Sequence, residues 1–140
     1  MKEIKFIYFD IGGVLTETDD YFKMATTKFG IDLADFTEFW HDKYSFEMTR
    51  GKIDAYDFWK KAILEFNIKD GQNFDFLESW LSDYKPNMPT HKIAQELSEK
   101  YQIGLISNLY PGMFNNLIKL GNIPDISYKS AVLSCDVGYG

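Results

Sequence analysis

The sequence predicts an α/β fold built on a parallel sheet, with a long helical insertion after the first strand. Short apolar runs at 4–9, 102–106 and 130–133 each end in small polar or glycine residues, as buried strands do. Amphipathic stretches precede the second and third runs, and helical connections between strands favour parallel pairing. The segment between the first strand and Pro89 contains roughly seventy residues, which is enough for a small helical bundle rather than one crossover helix.

The composition is that of one globular domain of 140 residues. Hydrophobic residues make up 45% and charged residues 26%, which argues against disorder. The net charge of −6 provides no basic face for a phosphate backbone, so we expect no nucleic-acid partner. A single cysteine, Cys135, excludes an internal disulfide and a cysteine-based zinc site, and it fits a reducing cytoplasm.

No signal for secretion or membrane insertion is found in the sequence. Asp10 interrupts the apolar run that follows Lys2 and Lys5 before a signal-peptide core can form. No apolar run reaches the roughly 18 residues that a membrane span requires. We therefore expect a cytoplasmic protein with no membrane partner.

The first strand and the insertion are predicted from local patterns. The strand at 4–9 is followed by Asp10 and the Gly12–Gly13 pair, which predict a tight turn. A helix capped by Asp19 or Asp20 is expected to end at Gly30. Further helices are expected at 35–48, after an Asp54 cap, and at 74–81. The three tryptophans of the insertion most simply form its core: Trp40, Trp59 and Trp80.

The second half alternates helix and strand. Thr90 is expected to cap a helix that leads into the strand at 102–106. Pro111 begins a last predicted helix, which Gly121 stops before the strand at 130–133. His41 and His91 lack metal-ligand spacing and are interpreted as surface or helix-end residues, and Cys135 as a small buried thiol.

Polar residues follow the first two strands at the point where each ends. Ligands of open α/β sheets bind at the carboxyl ends of the strands, where Asp10 could act as nucleophile or metal ligand. Gly12 and Gly13 would let the backbone offer N–H groups to an anion. Ser107 and Asn108 suit a phosphate oxygen. The alternatives are that Asp10 only caps the turn and that Ser107 only caps a helix.

These segments together resemble the haloacid dehalogenase-like (HAD) hydrolase superfamily. Ile-Tyr-Phe-Asp-Ile-Gly-Gly-Val-Leu at 7–15 resembles its first motif, and Leu-Ile-Ser-Asn at 105–108 its second. Arg-Gly-Lys-Ile-Asp at 50–54 is similar to the cap of its phosphatase members. The segment 131–140 resembles the approach to the third motif. The resemblance covers the whole chain in the right order.

The resemblance implies a Rossmann-like core at 1–16 and 89–140 with a helical C1 cap at 17–88. It also implies hydrolysis of a small phosphorylated metabolite through an aspartyl-phosphate, with Mg²⁺ as cofactor. Carried over by position, Asp10 is the nucleophile and a metal ligand, and the backbone carbonyl of Gly12 is a second ligand. Ser107, Asn108 and Gly13 would bind the phosphoryl group.

The sequence departs from the family pattern at two places. Gly12 replaces the second aspartate, the usual general acid and base, whose contribution is typically about 10²–10⁴-fold in rate. The chain also ends at Gly140, before the expected lysine and the later acidic pair, so we interpret it as a fragment with an incomplete sheet.

Two other functions remain open from the sequence. An uncovered sheet edge favours association, so the first alternative is a catalytically inactive core-and-cap module that binds a partner or forms a homodimer. The second is a 2-haloacid dehalogenase that uses the same Asp10. It ranks lower because that branch typically has an aromatic residue where Gly12 stands.

Overall fold

The computed structural model describes residues 3–139, so Met1, Lys2 and Gly140, which lie at the ends of the predicted core, fall outside the described residues. In chain order the elements are β1 (Phe6–Phe9), β2 (Thr16–Glu17), α1 (Lys23–Phe29), α2 (Leu33–Lys43), α3 (Ser45–Thr49), α4 (Ala55–Glu65), a 3₁₀ turn (Gly71–Asn73), α5 (Phe76–Ser82), β3 (Lys85–Pro86), α6 (Met88–Ser98), β4 (Gln102–Ser107), α7 (Met113–Lys119), β5 (Tyr128–Leu133) and α8 (Ser134–Val137).

The central sheet confirms the predicted α/β class with parallel strands. Its strand order is β1-β4-β5, and both neighbouring pairs are parallel. Phe9 is paired with Leu105, and Ser107 with Leu133, so the three strands end at one edge of the sheet. This edge carries the polar residues that the sequence places after each strand.

The short ribbon of β2 and β3 was not predicted from the sequence. Thr16 pairs with Pro86 and Glu17 with Lys85 in antiparallel register. Two-residue strands carry no periodicity, which is why local patterns do not reveal them. The ribbon joins the two ends of the helical insertion. The core boundaries 1–16 and 89–140 and the cap boundaries 17–88 stay a prediction.

The insertion consists of five helices, and the helix predicted at 35–48 is wrong as a single element. It is divided at Tyr44, whose backbone φ of −131° is not helical, into α2 and α3. Asp32 caps α2 by accepting hydrogen bonds from the N–H groups of Ala34 and Asp35. The predicted cap of α4 is present, since Asp54 accepts from the N–H of Asp57 at 2.8 Å.

Three other helix starts differ from the prediction. Neither Asp19 nor Asp20 caps α1. The residue before this helix is Phe22, whose backbone adopts the left-handed conformation. Asn87, rather than Thr90, caps α6, because its side chain accepts from the N–H of Thr90 at 3.4 Å. The helix expected from Pro111 begins at Met113.

Aromatic side chains fill the interior of the insertion. Phe22, Phe36, Phe58 and Trp80 are almost fully buried and pack edge to face or tilted against one another. Trp80 also stacks on Tyr110, which follows β4, with ring centroids 4.9 Å apart. The same hydrophobic cluster includes buried residues of the sheet, so the insertion and the sheet share one core.

His91 corrects the expectation of a surface or helix-end histidine. It is 5% exposed, and its Nε2 lies 2.9 Å from the carbonyl oxygen of Leu15 and 3.2 Å from that of Asn122. An N–H group at Nε2 of His91 therefore links the turn after β1 to the segment between α7 and β5 by hydrogen bonds. The corresponding prediction for His41 agrees with its exposed position on α2. No helix within residues 3–139 is long and apolar enough to cross a membrane.

Candidate functional site

The carboxylate of Asp10 is held at the end of β1 by two hydrogen bonds to one oxygen. The backbone N–H of Ile11 and the hydroxyl of Ser107 both donate to Oδ1, each at 2.7 Å. The second bond joins the ends of two neighbouring parallel strands across 97 positions of sequence. Oδ2 of Asp10 accepts no hydrogen bond from the part of the chain that the structure describes. Asp10 itself is exposed.

The turn after Asp10 is ordered around the carbonyl oxygen of Ile11. The N–H groups of Leu15 and Thr16 and the hydroxyl of Thr16 donate to this oxygen at 2.9, 2.9 and 3.1 Å. Gly13 adopts a φ of 74°, a conformation that favours glycine. Its N–H donates to Thr16 O at 3.0 Å inside the turn, and the anion-binding role of Gly13 stays a prediction.

Gly12 differs from Gly13 in the hydrogen bonding of its N–H group and in its backbone conformation. Its N–H has no acceptor among residues 3–139, so this group is available to an anion. Its φ lies outside the left-handed region, and a Cβ placed on it would meet no heavy atom within 4 Å. The backbone therefore does not require glycine at this position.

An open cleft of about 390 Å³ lies at this edge of the sheet. It is lined by Asp10, Ile106, Ser107, Asn108, Val132, Ser134, Val137 and Tyr139. The predicted residues Asp10, Ser107 and Asn108 are thus brought together, whereas Gly12 and Gly13 do not line it. None of these described lining residues is a lysine or arginine, so the cleft itself supplies no cation against an anionic ligand.

Ser134 is a site residue that the sequence interpretation did not select. Its hydroxyl accepts from the N–H of Leu109 at 3.1 Å and lies 3.2 Å from the carbonyl oxygen of the same residue. This pair of contacts fixes the loop that follows Asn108. The only sequence signal is a serine at the end of the third apolar run, equivalent in position to Asp10 and Ser107.

The next residue, Cys135, is placed beside the cleft but is not activated. Burial first, and the Asp136 carboxylate second, raise the pKa of its thiol. The thiol is therefore protonated at neutral pH, which argues against a cysteine nucleophile at this edge. Its partial burial agrees with the predicted role of a small packed side chain.

The donor set fits a magnesium ion only when a further ligand is present. The Asp10 carboxylate and the backbone carbonyl of Gly12 supply the hard oxygen donors that Mg²⁺ prefers. Within residues 3–139, no three His, Cys, Asp or Glu side chains are grouped so as to hold a metal alone. Magnesium sites formed by one or two carboxylates are completed by water and substrate phosphate, so these residues fit an ion bound together with a phosphate.

Comparison with known proteins finds similarity at the level of structure alone. No protein-family model matches the chain, and no curated protein matches it by sequence. A HAD family enzyme from Bacteroides thetaiotaomicron, an aspartate-to-alanine mutant in complex with magnesium and inorganic phosphate, is similar with a TM-score of 0.74 and 20% identity. The match covers 99% of this chain and 72% of that enzyme.

A second solved structure gives the same result. A predicted HAD-like family hydrolase from Porphyromonas gingivalis is similar with a TM-score of 0.70 and 20% identity, over 98% of this chain and 69% of that one. These similarities confirm the predicted Rossmann-like fold with its helical insertion.

Proposed function

We propose that this chain, which has the fold of the HAD family enzymes, is a Mg²⁺-dependent phosphatase of a small phosphorylated metabolite. The observation that carries the proposal is the 2.7 Å hydrogen bond between Ser107 and Asp10 at the ends of adjacent parallel strands. Helix or turn capping alone does not explain it, because the bond joins two strands rather than a side chain and its own turn. The Bacteroides enzyme binds magnesium and inorganic phosphate on the same fold, which supports this ligand chemistry.

The two oxygens of Asp10 have separate roles in the proposed reaction. Oδ1 is fixed by Ile11 and Ser107, and Oδ2 is free to attack phosphorus. An Oδ2–P bond forms, the ester P–O bond breaks, and the leaving alcohol takes its proton from water. Water then attacks the aspartyl-phosphate, which releases inorganic phosphate and restores the carboxylate.

A bound Mg²⁺ would offset the repulsion between the Asp10 carboxylate and the phosphate. Asp10 and the Gly12 carbonyl would hold it. The chain's own donors to the phosphate are the Asn108 amide and the free Gly12 N–H, because the single proton of the Ser107 hydroxyl is used on Asp10 Oδ1. Because the described cleft contains no cationic side chain, we expect phosphate binding to depend strongly on the divalent ion.

The Asp10→Asn variant tests the nucleophile. Phosphate release from p-nitrophenyl phosphate in the presence of MgCl₂ is expected to fall to background, because an amide cannot form the aspartyl-phosphate. Circular dichroism checks that the variant is folded. Equal activity in the two proteins would refute the assignment.

The Ser107→Ala variant tests the residue that orients Asp10. We expect kcat/KM to fall by about 10²-fold, as for other preorganised donors near the reacting atoms. Ser130→Ala is the matched control, because Ser130 lies on the neighbouring strand and donates instead to the Tyr8 hydroxyl at 3.3 Å. A loss of the same size in both variants would show that strand packing, and not the site, is responsible.

A further inference from the structure

A second cleft is lined in part by Pro111 and Gly112 of the loop that follows β4. It encloses about 490 Å³, within the range of small-molecule sites, and it shares no lining residue with the cleft at Asp10. It is formed by the start of α4, the start of α5 and the Pro111–Gly112 segment. Leu77 joins these parts, since a Cβ at Gly112 would lie 3.2 Å from its Cδ2.

The lining of this cleft combines aromatic rings with carboxylates. Tyr56, Trp59 and Phe74 supply the rings, and Asp54 and Asp75 supply the carboxylates. No lysine or arginine is found among its described lining residues. Anions are therefore disfavoured, whereas a flat apolar body that carries a positive charge is complementary to this surface.

The two carboxylates keep acceptor capacity after capping their helices. Asp54 Oδ1 accepts from the Asp57 N–H at 2.8 Å, and Asp75 Oδ1 accepts from the Glu78 N–H at 2.9 Å. The helix starts are thus already satisfied. The second oxygen of each carboxylate has no hydrogen-bond donor among residues 3–139 and is available to an ammonium group.

Two lysines that do not line the cleft lie over one face each of two of its rings. Lys28 Nζ lies 4.9 Å from the centroid of Phe74, and Lys60 Nζ lies 4.0 Å from that of Tyr56. The rings of this cleft are therefore compatible with a cation over one face, and a bound amine would use the faces that the two lysines leave open. We propose that this cleft binds a small aromatic amine, with the ring against the exposed Tyr56 and the partly buried Phe74 and the ammonium group near Asp54 and Asp75.

Benzylamine is the probe, with benzyl alcohol and benzoate as its neutral and anionic counterparts. Binding is followed in ¹H–¹⁵N spectra of the whole chain through the Trp59 indole N–H, which donates to the Gly71 carbonyl at 2.8 Å. We expect saturable shifts with benzylamine, weaker shifts with benzyl alcohol and none with benzoate.

Charge-removing variants locate the site. Asp54→Asn and Asp75→Asn keep a good helix cap and are each expected to weaken benzylamine binding by about two- to fivefold. Asp32→Asn is the matched control, because Asp32 caps α2 in the same way but does not line the cleft. Binding that is unsaturable, equal for benzoate, or weakened as much by Asp32→Asn would overturn the proposal. Phosphatase activity is not used in this test, so it stands independently of the proposed function.

Discussion

The two glycines that follow Asp10 differ in whether their backbone conformation requires a glycine. Gly13 needs its left-handed backbone to close the turn, and its N–H is used in that turn. Gly12 has an ordinary backbone conformation and open space at its Cβ. The backbone therefore does not account for the glycine at position 12, where the resemblance to the HAD superfamily would place an aspartate.

The Gly12→Asp variant should increase turnover. A carboxyl group here can protonate the leaving alcohol and later activate water, which is typically worth about 10²–10⁴-fold. The gain should be larger for an alkyl phosphate than for p-nitrophenyl phosphate, whose leaving group needs little protonation. Steady-state kinetics on both esters measures it.

Gly13→Asp provides the comparison for this prediction. It adds the same charge one residue further on, where positive φ is expected to cost about 1–2 kcal/mol of stability. Unchanged turnover in Gly12→Asp, or an equal gain in Gly13→Asp, would contradict general acid–base help at position 12.

At the scale of elements, α1 begins through a contact from elsewhere in the chain. Phe22, in a left-handed conformation, supplies no side-chain cap. The carboxylate of Asp83, at the end of α5, lies against the N–H groups of Phe22, Lys23 and Met24. These groups lower its pKa, but burial raises it more, and Oδ2 is buried with no hydrogen-bond partner in the described chain.

The raised pKa of Asp83 predicts an unusual pH dependence. The folded state holds the Asp83 proton more tightly than the unfolded chain, so this residue contributes stability as the pH falls through its raised pKa. Ordinary paired carboxylates behave in the opposite way. The free energy of unfolding of the wild-type protein, minus that of Asp83→Asn, should therefore increase between pH 7 and pH 4.

Urea unfolding at several pH values measures this difference. Asp35→Asn is the control, because Asp35 is an exposed carboxylate in the first turn of α2. If the wild-type free energy of unfolding minus that of Asp83→Asn decreases towards low pH, the N–H groups and not burial determine the direction of the Asp83 pKa shift.

At the scale of the whole molecule, one face of the central sheet carries exposed apolar side chains. Tyr8 is 51%, Ile106 54% and Val132 38% exposed, while their sheet neighbours Leu105 and Leu133 are buried. The aromatic rings of Phe6 and Tyr8 cover Gly104, where a Cβ would meet both at under 3 Å. The sequence predicts association through an uncovered sheet edge, and homodimer formation stays a prediction.

We propose that two copies associate through this face. Sedimentation velocity should show a concentration-dependent dimer in the wild-type chain, and Tyr8→Lys should shift it towards monomer by charging the face. Leu64→Lys is the control, since Leu64 is 83% exposed on α4, away from the sheet. A monomer at all concentrations, or equal effects of the two variants, would exclude this mode of association.

Predictions from the sequence were most successful where the signal was local. The three apolar runs became the three strands, and the Asp54 cap is present, because each depends on neighbours within one or two turns. Trp59 and Trp80 are buried in the insertion as predicted, and Trp40 packs against the same core while partly exposed. The break at Tyr44, the Asn87 cap and the buried position of His91 were missed. The buried position of His91 depends on the carbonyl oxygens of Leu15 and Asn122, which are distant in sequence, whereas the Asn87 cap is a local contact that the competing Thr90 signal obscured.

The sequence by itself determined the α/β class, the order of the elements and the placement of Asp10 and Ser107 at strand ends, because hydrophobic periodicity and turn residues act over a few neighbours. Only the tertiary structure decided that one Asp10 oxygen is held by Ser107 and that Ser134 completes the cleft. It also decided that Gly13 keeps its N–H within the turn, whereas Gly12 leaves its own free. These features depend on strand register and on contacts between remote residues, which no local pattern contains.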